Sequence, residues 1–348
     1  MIKTLQALRF VFIALVVASH IIGKSFDFGG ECGVSFFFML SGFILAYAYG
    51  GQVEAGTFGR RRFLLRQLSK FYPLHVLMMW VMVVLDARLG VTYSALKLLA
   101  QLFLLQSWVP ADSFYFVANG SSWFLSDLLF FYVVFSTAYL LLMRASWRNI
   151  GYGIGVLLLL YLLLALTIPY DKVNALLYAQ PLTRLLDFCI GILVYKFYRS
   201  DKALVLRTRL RRMDAPSMTA LELLMMAYVV GSFFVYGLLT PRLRCAALFW
   251  CVLPVVLYVS VEADQCAGAV KRLLQTRPMQ WLGSVSLEMF LTHMLTIRLL
   301  YSIFALDEEA RLRPHVVLLT FVAVIAVSYL FKRCFVDVIN AKLKTYLR

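Results

Sequence analysis

Arg9 and His20 stand eleven residues apart within an otherwise apolar run over 5–23. On an α-helix eleven steps of about 100° make three turns plus about 20°, so both side chains leave one face, roughly 16 Å apart along the axis. That face carries a cation at one end and a titratable base at the other: one group suited to holding an anion, one suited to moving a proton. An ionisable group near a bilayer centre costs about 2.5–3.5 kcal/mol on insertion scales, so such residues are candidates for function. The plainer alternative is that Arg9 snorkels to lipid phosphate and His20 rests at the interface.

Other positions offer weaker chemistry. The run Arg60-Arg61-Arg62 to Arg66 and Lys70 is a topology anchor or an anion clamp at a membrane mouth. In Asn119-Gly120-Ser121-Ser122-Trp123-Phe124-Leu125-Ser126-Asp127, Ser121 or Ser122 suits a helix cap, and Asp127 complements the helix N-terminus. Arg184 and Asp187 are spaced to pair on one helix. Glu288 and His293 are five residues apart, about 140° of rotation, so they do not share a face. Ser35 and Ser41 sit among small residues that favour close helix packing. His75 and His315 lie near span ends.

These residues need elements to position them, and composition says which kind. Of 348 residues 62% are apolar and only 15% charged, against roughly 45–50% apolar in soluble domains. The apolar runs are long and continuous, which predicts an all-α polytopic membrane protein and excludes soluble enzyme folds and barrels. Apolar segments run over 5–23, 32–50, 72–90, 95–109, 122–143, 150–169, 183–198, 218–239, 245–262, 280–305 and 315–332. Lys97, Gln101 and Gln106 interrupt the short 95–109 run, which reads as a re-entrant or interfacial helix. About ten spans remain, in a single integral-membrane domain over 1–348. The N-terminal run lacks a clear small-x-small site and reads as a span, not a cleaved signal.

The net charge of +16 would suggest nucleic acid in a soluble chain; in this one it predicts topology, with no nucleic-acid partner. With the N-terminus in the cytoplasm, loops carrying Arg60–Arg62, Arg148, Lys202 and Arg348 fall inside, and Lys24, Lys97 and Arg242 fall outside. The inner loops then hold roughly three times the basic residues of the outer ones. Both termini are therefore expected in the cytoplasm of a multi-pass protein. Cys32, Cys189, Cys245, Cys251, Cys266 and Cys334 show no metal-site spacing and read as small hydrophobes. No metal site is expected.

Taken together, these blocks resemble the bacterial acyltransferase family 3, multi-pass proteins that transfer acyl groups to cell-envelope carbohydrates. The family's Arg-x10-His pair matches Arg9 and His20, and its G-V-x-F-F-F-x-L-S-G-F block matches Gly33 to Phe43. Its S-W-F-L-S block matches Ser122 to Ser126, and its R-x-x-[DE]-F-x-x-G block matches Arg184, Asp187, Phe188 and Gly191. Its S-L-E-x-[YF]-L-x-H block matches Ser286 to His293. Where the family often has a basic R-x-x-R pair before a proline, this chain has Gln67 and Lys70, with Arg66 one residue earlier. A family glutamate five residues past the tryptophan is Leu128 here, so Asp127 is not its equivalent.

The resemblance implies an O-acyltransferase of the bacterial inner membrane. Its co-substrate would be acyl-coenzyme A, in the first instance acetyl-coenzyme A, with no permanently bound cofactor. The acceptor would be an envelope polysaccharide or a lipid-linked saccharide, and the other partners membrane lipids. His20 and Arg9 are then the catalytic candidates, with His20 as general base or itself acylated in a two-step transfer. Arg66 and Lys70 are the donor-binding candidates. Trp123, Ser126, Asp127, Arg184, Glu288 and His293 are candidates for the pore or acceptor site. The competing expectation is a transporter of a glycan or lipid-linked sugar, which would use no soluble acyl donor.

Overall fold

The computed structural model describes residues 2–23, 26–244 and 247–346; Lys24, Cys245 and Arg348 lie outside them. The described residues form helices joined by short connections, with no β-strand among them. Helix α1 (Lys3–Ile22) and α2 (Asp27–Glu54) form an antiparallel hairpin, followed by α3 (Arg60–Arg88). A short helix α4 (Ala95–Leu102) precedes α5 (Trp123–Arg144), α6 (Trp147–Thr167) and α7 (Pro181–Tyr198). Then come α8 (Asp201–Arg212), α9 (Ala215–Leu238), α10 (Phe249–Ala263), α11 (Arg277–Ser284), α12 (Ser286–Ile303) and α13 (Pro314–Phe331).

Among the described residues eight helices are long and apolar enough to cross a membrane, and a ninth span arises if Tyr170–Tyr178 and α7, bent by 41°, are taken together. The remaining expected segment, 280–305, is divided at Val285 into α11 and α12. Helix α12 has 18 residues, about 27 Å at 1.5 Å per residue. It carries Glu288, His293 and Arg298 within those residues. The 95–109 stretch yields only eight helical residues and a 3₁₀ turn at Gln106–Trp108, far short of a hydrocarbon core about 30 Å thick.

That short stretch is fastened to the start of α5. The Gln101 side-chain amide donates to Ser122 Oγ (2.7 Å), Gln106 donates to the Ser122 carbonyl (3.0 Å), and Ser107 Oγ donates to the Trp123 carbonyl (2.9 Å). Ser126 Oγ donates to the carbonyl of Leu104 (2.7 Å), which turns the chain at φ +57°. Irregular backbone at membrane depth is tolerated where protein satisfies it, and these side chains do so.

The core is held by close backbone approach. A Cβ on Gly42 would lie 2.0 Å from the Phe188 carbonyl, and one on Gly191 would lie 1.9 Å from the Met39 carbonyl. Helices α2 and α7 therefore interlock through two glycines, one from each. Gly283 meets the Gln6 carbonyl in the same way, seating α11 on α1. Stacked rings fill the spaces between: Phe12 on Phe36 (3.7 Å), Phe38 on Phe124 (4.4 Å) and Phe131 on Phe188 (5.2 Å). Helix α1 is central and touches α2, α10, α11, α12 and α13. Helices α6 and α9 are peripheral, their leucine-rich faces exposed as lipid-facing helices require.

Candidate active site

Because α1 and α2 are antiparallel, the end of α1 and the start of α2 share one end of the bundle, and Arg9 lies toward the other. Each end holds a cavity. The larger, about 560 Å³, is lined by His20, Glu31, Asp86, Tyr93, Trp123 and Arg298 among others. The smaller, about 200 Å³, is lined by Arg9, Ser41, Gln67, Lys70 and Tyr132 among others. The shared face expected for Arg9 and His20 is thus turned inward, but each residue serves its own cavity. Phe290 lines both.

His20 presents its ring to the larger cavity, 5.0 Å from the ring of His293. His293 is fully buried, and its Nδ1 lies 3.0 Å from the Met289 carbonyl. A carbonyl only accepts, so Nδ1 carries a proton, and in the neutral ring Nε2 keeps its lone pair. Nε2 has no hydrogen-bond partner. The helix bearing His293 is held by the turn before α5: Asn119 Nδ2 donates to the Leu291 carbonyl (2.9 Å) and Ser121 Oγ to the Phe290 carbonyl (3.3 Å). The Ser-Trp block and the His293 block, 172 residues apart at that contact, form one wall.

In the smaller cavity, Lys70 Nζ donates to Gln67 Oε1 (2.6 Å), while the buried Gln67 Nε2 has no partner. The hydrogen bond from Arg9 Nη1 to Gln6 Oε1 is long, 3.5 Å, and Glu288 is a carboxylate within electrostatic reach of Arg9. Two cations and a spare amide donor facing one space suit an anionic group. Arg66 lies on the exposed side of α3, outside the lining of this cavity.

The remaining candidates separate by position. Trp123 lines the larger cavity, against Tyr178 at 4.9 Å. Ser126, Asp127, Arg184 and Glu288 line neither cavity. Ser126 fastens the re-entrant turn, as described. Asp127 is fully buried, with Arg184 as its nearby countercharge. Arg184 pairs with Asp187 (3.2 Å), donates to Ser35 Oγ (3.1 Å) and lies over Phe38. Asp187 also accepts from Trp250 Nε1 (2.7 Å), so the pair is an internal brace. Glu288 faces Lys332 at 3.8 Å.

Several cavity residues were not singled out from sequence. Asp86 pairs with Arg298 and accepts from Tyr93 (2.6 Å), joining α3 to α12. Glu31 accepts from Tyr236 (2.8 Å), joining α2 to α9. The available signal was a carboxylate inside an apolar helix, since such groups are rarely idle.

With the geometry in place, comparison with known proteins is decisive on the family. A family model described as an acyltransferase domain, family 3, matches residues 2–333. The chain belongs to that acyltransferase family. It is also similar to the acyltransferase MdmB of Streptomyces mycarofaciens, 29% identical over 288 residues, which cover 77% of this chain and 68% of that protein. No solved structure matches. As a family 3 acyltransferase, the chain is a multi-pass membrane protein whose histidine pair and paired cavities lie at the contact of α1 with α12.

Proposed function

We propose that this acyltransferase moves an acyl group, in the first instance acetyl, from cytoplasmic acyl-coenzyme A to a hydroxyl of a cell-envelope carbohydrate. The observation that carries the reading is that one helix presents Arg9 to a basic cavity at one end and His20, beside His293, to a second cavity at the other. With both termini in the cytoplasm of a bacterial inner membrane, the smaller cavity faces the donor's compartment. Arg9 and Lys70 then hold coenzyme A phosphates, and the uncharged pantetheine arm reaches along α1.

The acceptor enters the larger cavity. Trp123, Tyr93 and Tyr178 offer aromatic faces there, and the carboxylates of Glu31 and Asp86 accept hydrogen bonds, a combination suited to a polyhydroxylated molecule. His20 takes the hydroxyl proton as the oxygen attacks the thioester carbonyl. The carbon–sulfur bond breaks, and the proton on His20 passes to the departing sulfur. His293, oriented by its hydrogen bond to the Met289 carbonyl, lies beside His20 as its buried neighbour. The test is transfer from labelled acetyl-coenzyme A by purified protein in nanodiscs, wild type against His20→Ala. Transfer that survives in a folded His20→Ala protein would remove His20 from the chemistry.

A further inference from the structure

We propose that Phe290 sets the length of acyl chain this enzyme accepts, an inference that rests on the acyl-coenzyme A reading above. Among the described residues, Phe290 is the one that lines both cavities, and it is only 5% exposed. A donor anchored at Arg9 and Lys70 must bring its thioester past this side chain to reach His20.

The ring also lies close to the histidine pair. Its centroid lies 6.0 Å from that of His293, which is in turn 5.0 Å from His20. With the thioester carbonyl beside the histidines, the acyl tail shares its space with Phe290. The ring is backed against withdrawal: Phe124 packs on it at 4.7 Å, Phe38 stacks behind Phe124 at 4.4 Å, and the Arg184 guanidinium closes the column over Phe38. The main chain is held as well, since the Phe290 carbonyl accepts from Ser121. A wall built this way does not flex to admit methylenes, so a two-carbon acyl group passes where a longer one is resisted.

The experiment measures kcat/KM for acetyl-, butyryl- and hexanoyl-coenzyme A with wild type, Phe290→Leu, Phe290→Ala and Phe290→Trp in nanodiscs. An apolar pocket discriminates one methylene by about 10–200-fold. The hexanoyl-to-acetyl ratio should therefore rise at least about tenfold in Phe290→Ala, rise less in Phe290→Leu and fall in Phe290→Trp. The leucine and tryptophan variants carry the test should the alanine protein not fold. A wild type that transfers acetyl, with ratios unchanged across the folded variants, would overturn the role of Phe290 alone. A wild type inactive with every acyl-coenzyme A would overturn the donor reading and this inference with it.

Discussion

His20 and His293, from helices at opposite ends of the chain, place their ring centroids 5.0 Å apart, and only His20 opens to the cavity. This asymmetry assigns different consequences to their loss. His20→Ala should lower acyl transfer by about 10²–10⁴-fold, the usual worth of a general base. His293→Ala should lower it less, and should shift the pH profile of kcat, because it removes a neighbour and not the proton acceptor. Equal losses with unshifted profiles would mean that the two histidines act otherwise.

At the opposite cavity, Lys70 faces inward and Arg66 does not. Lys70→Ala should raise KM for the acyl donor with kcat less affected, the signature of lost ground-state binding. Arg66→Ala should have the smaller effect. Donor titrations of both purified variants decide this, and a larger KM effect from Arg66→Ala would move the clamp to the exposed face of α3.

The fully buried Arg184–Asp187 pair makes a stability prediction. Removing one partner leaves a buried charge unmatched, at a cost of about 3–5 kcal/mol. Asp187→Ala should therefore lower the temperature of thermal aggregation in detergent more than Asp187→Asn, which keeps an acceptor for Trp250 Nε1. Comparable melting of the two variants would argue that the acceptor for Trp250 is unimportant, and melting of both at the wild-type temperature that charge balance is.

Gly191 faces backbone, not a flexible side chain, so Gly191→Ala cannot be relieved by a rotamer change. Overpacking of this kind costs about 1–3 kcal/mol and sometimes more. Reduced monodispersity on size-exclusion chromatography is expected. Gly151→Ala on peripheral α6, where nothing lies within 4 Å, is the matched control and should behave as wild type.

Topology is checked by cysteine accessibility. Single cysteines at Arg148 and Lys202 should both label from the cytoplasm. Labelling of both from the periplasm would reverse the placement of the two cavities relative to the donor, and labelling of one alone would overturn the pair of spans drawn between them.

Much of the scaffold is readable because each span obeys a rule internal to itself. Apolar length marks the helices, and the 3.6-residue period puts Arg9 and His20 on one face. The spacing of Arg184 and Asp187 likewise predicts the pair that forms. What a period cannot supply is the neighbour. Asp86 meets Arg298 across 212 positions, and no feature of either segment names the other. Ser126 shows the same limit: its place in a motif is visible, but its task of fastening Leu104 depends on a turn that only the folded chain makes. The break at Val285 between α11 and α12 was hidden for a related reason, since the apolar run continues through it and the seat of α11 on α1, where Gly283 meets the Gln6 carbonyl, is a contact between distant segments.

The aromatic septum at Phe290 has an electrical consequence. The cavities toward the two ends of the bundle share Phe290 in their linings. With the two cavities open to opposite sides of the membrane, as the proposed reaction requires, the membrane potential would fall mostly across Phe290 and its immediate neighbours. Moving one charge through the full potential involves about 2.3 kcal/mol per 100 mV. In the proposed reaction a neutral thioester arm would cross this layer without electrical work, while phosphates at Arg9 and Lys70 would stay on their own side of the drop. Acyl groups would then be delivered across an energised membrane with no coupling to its voltage.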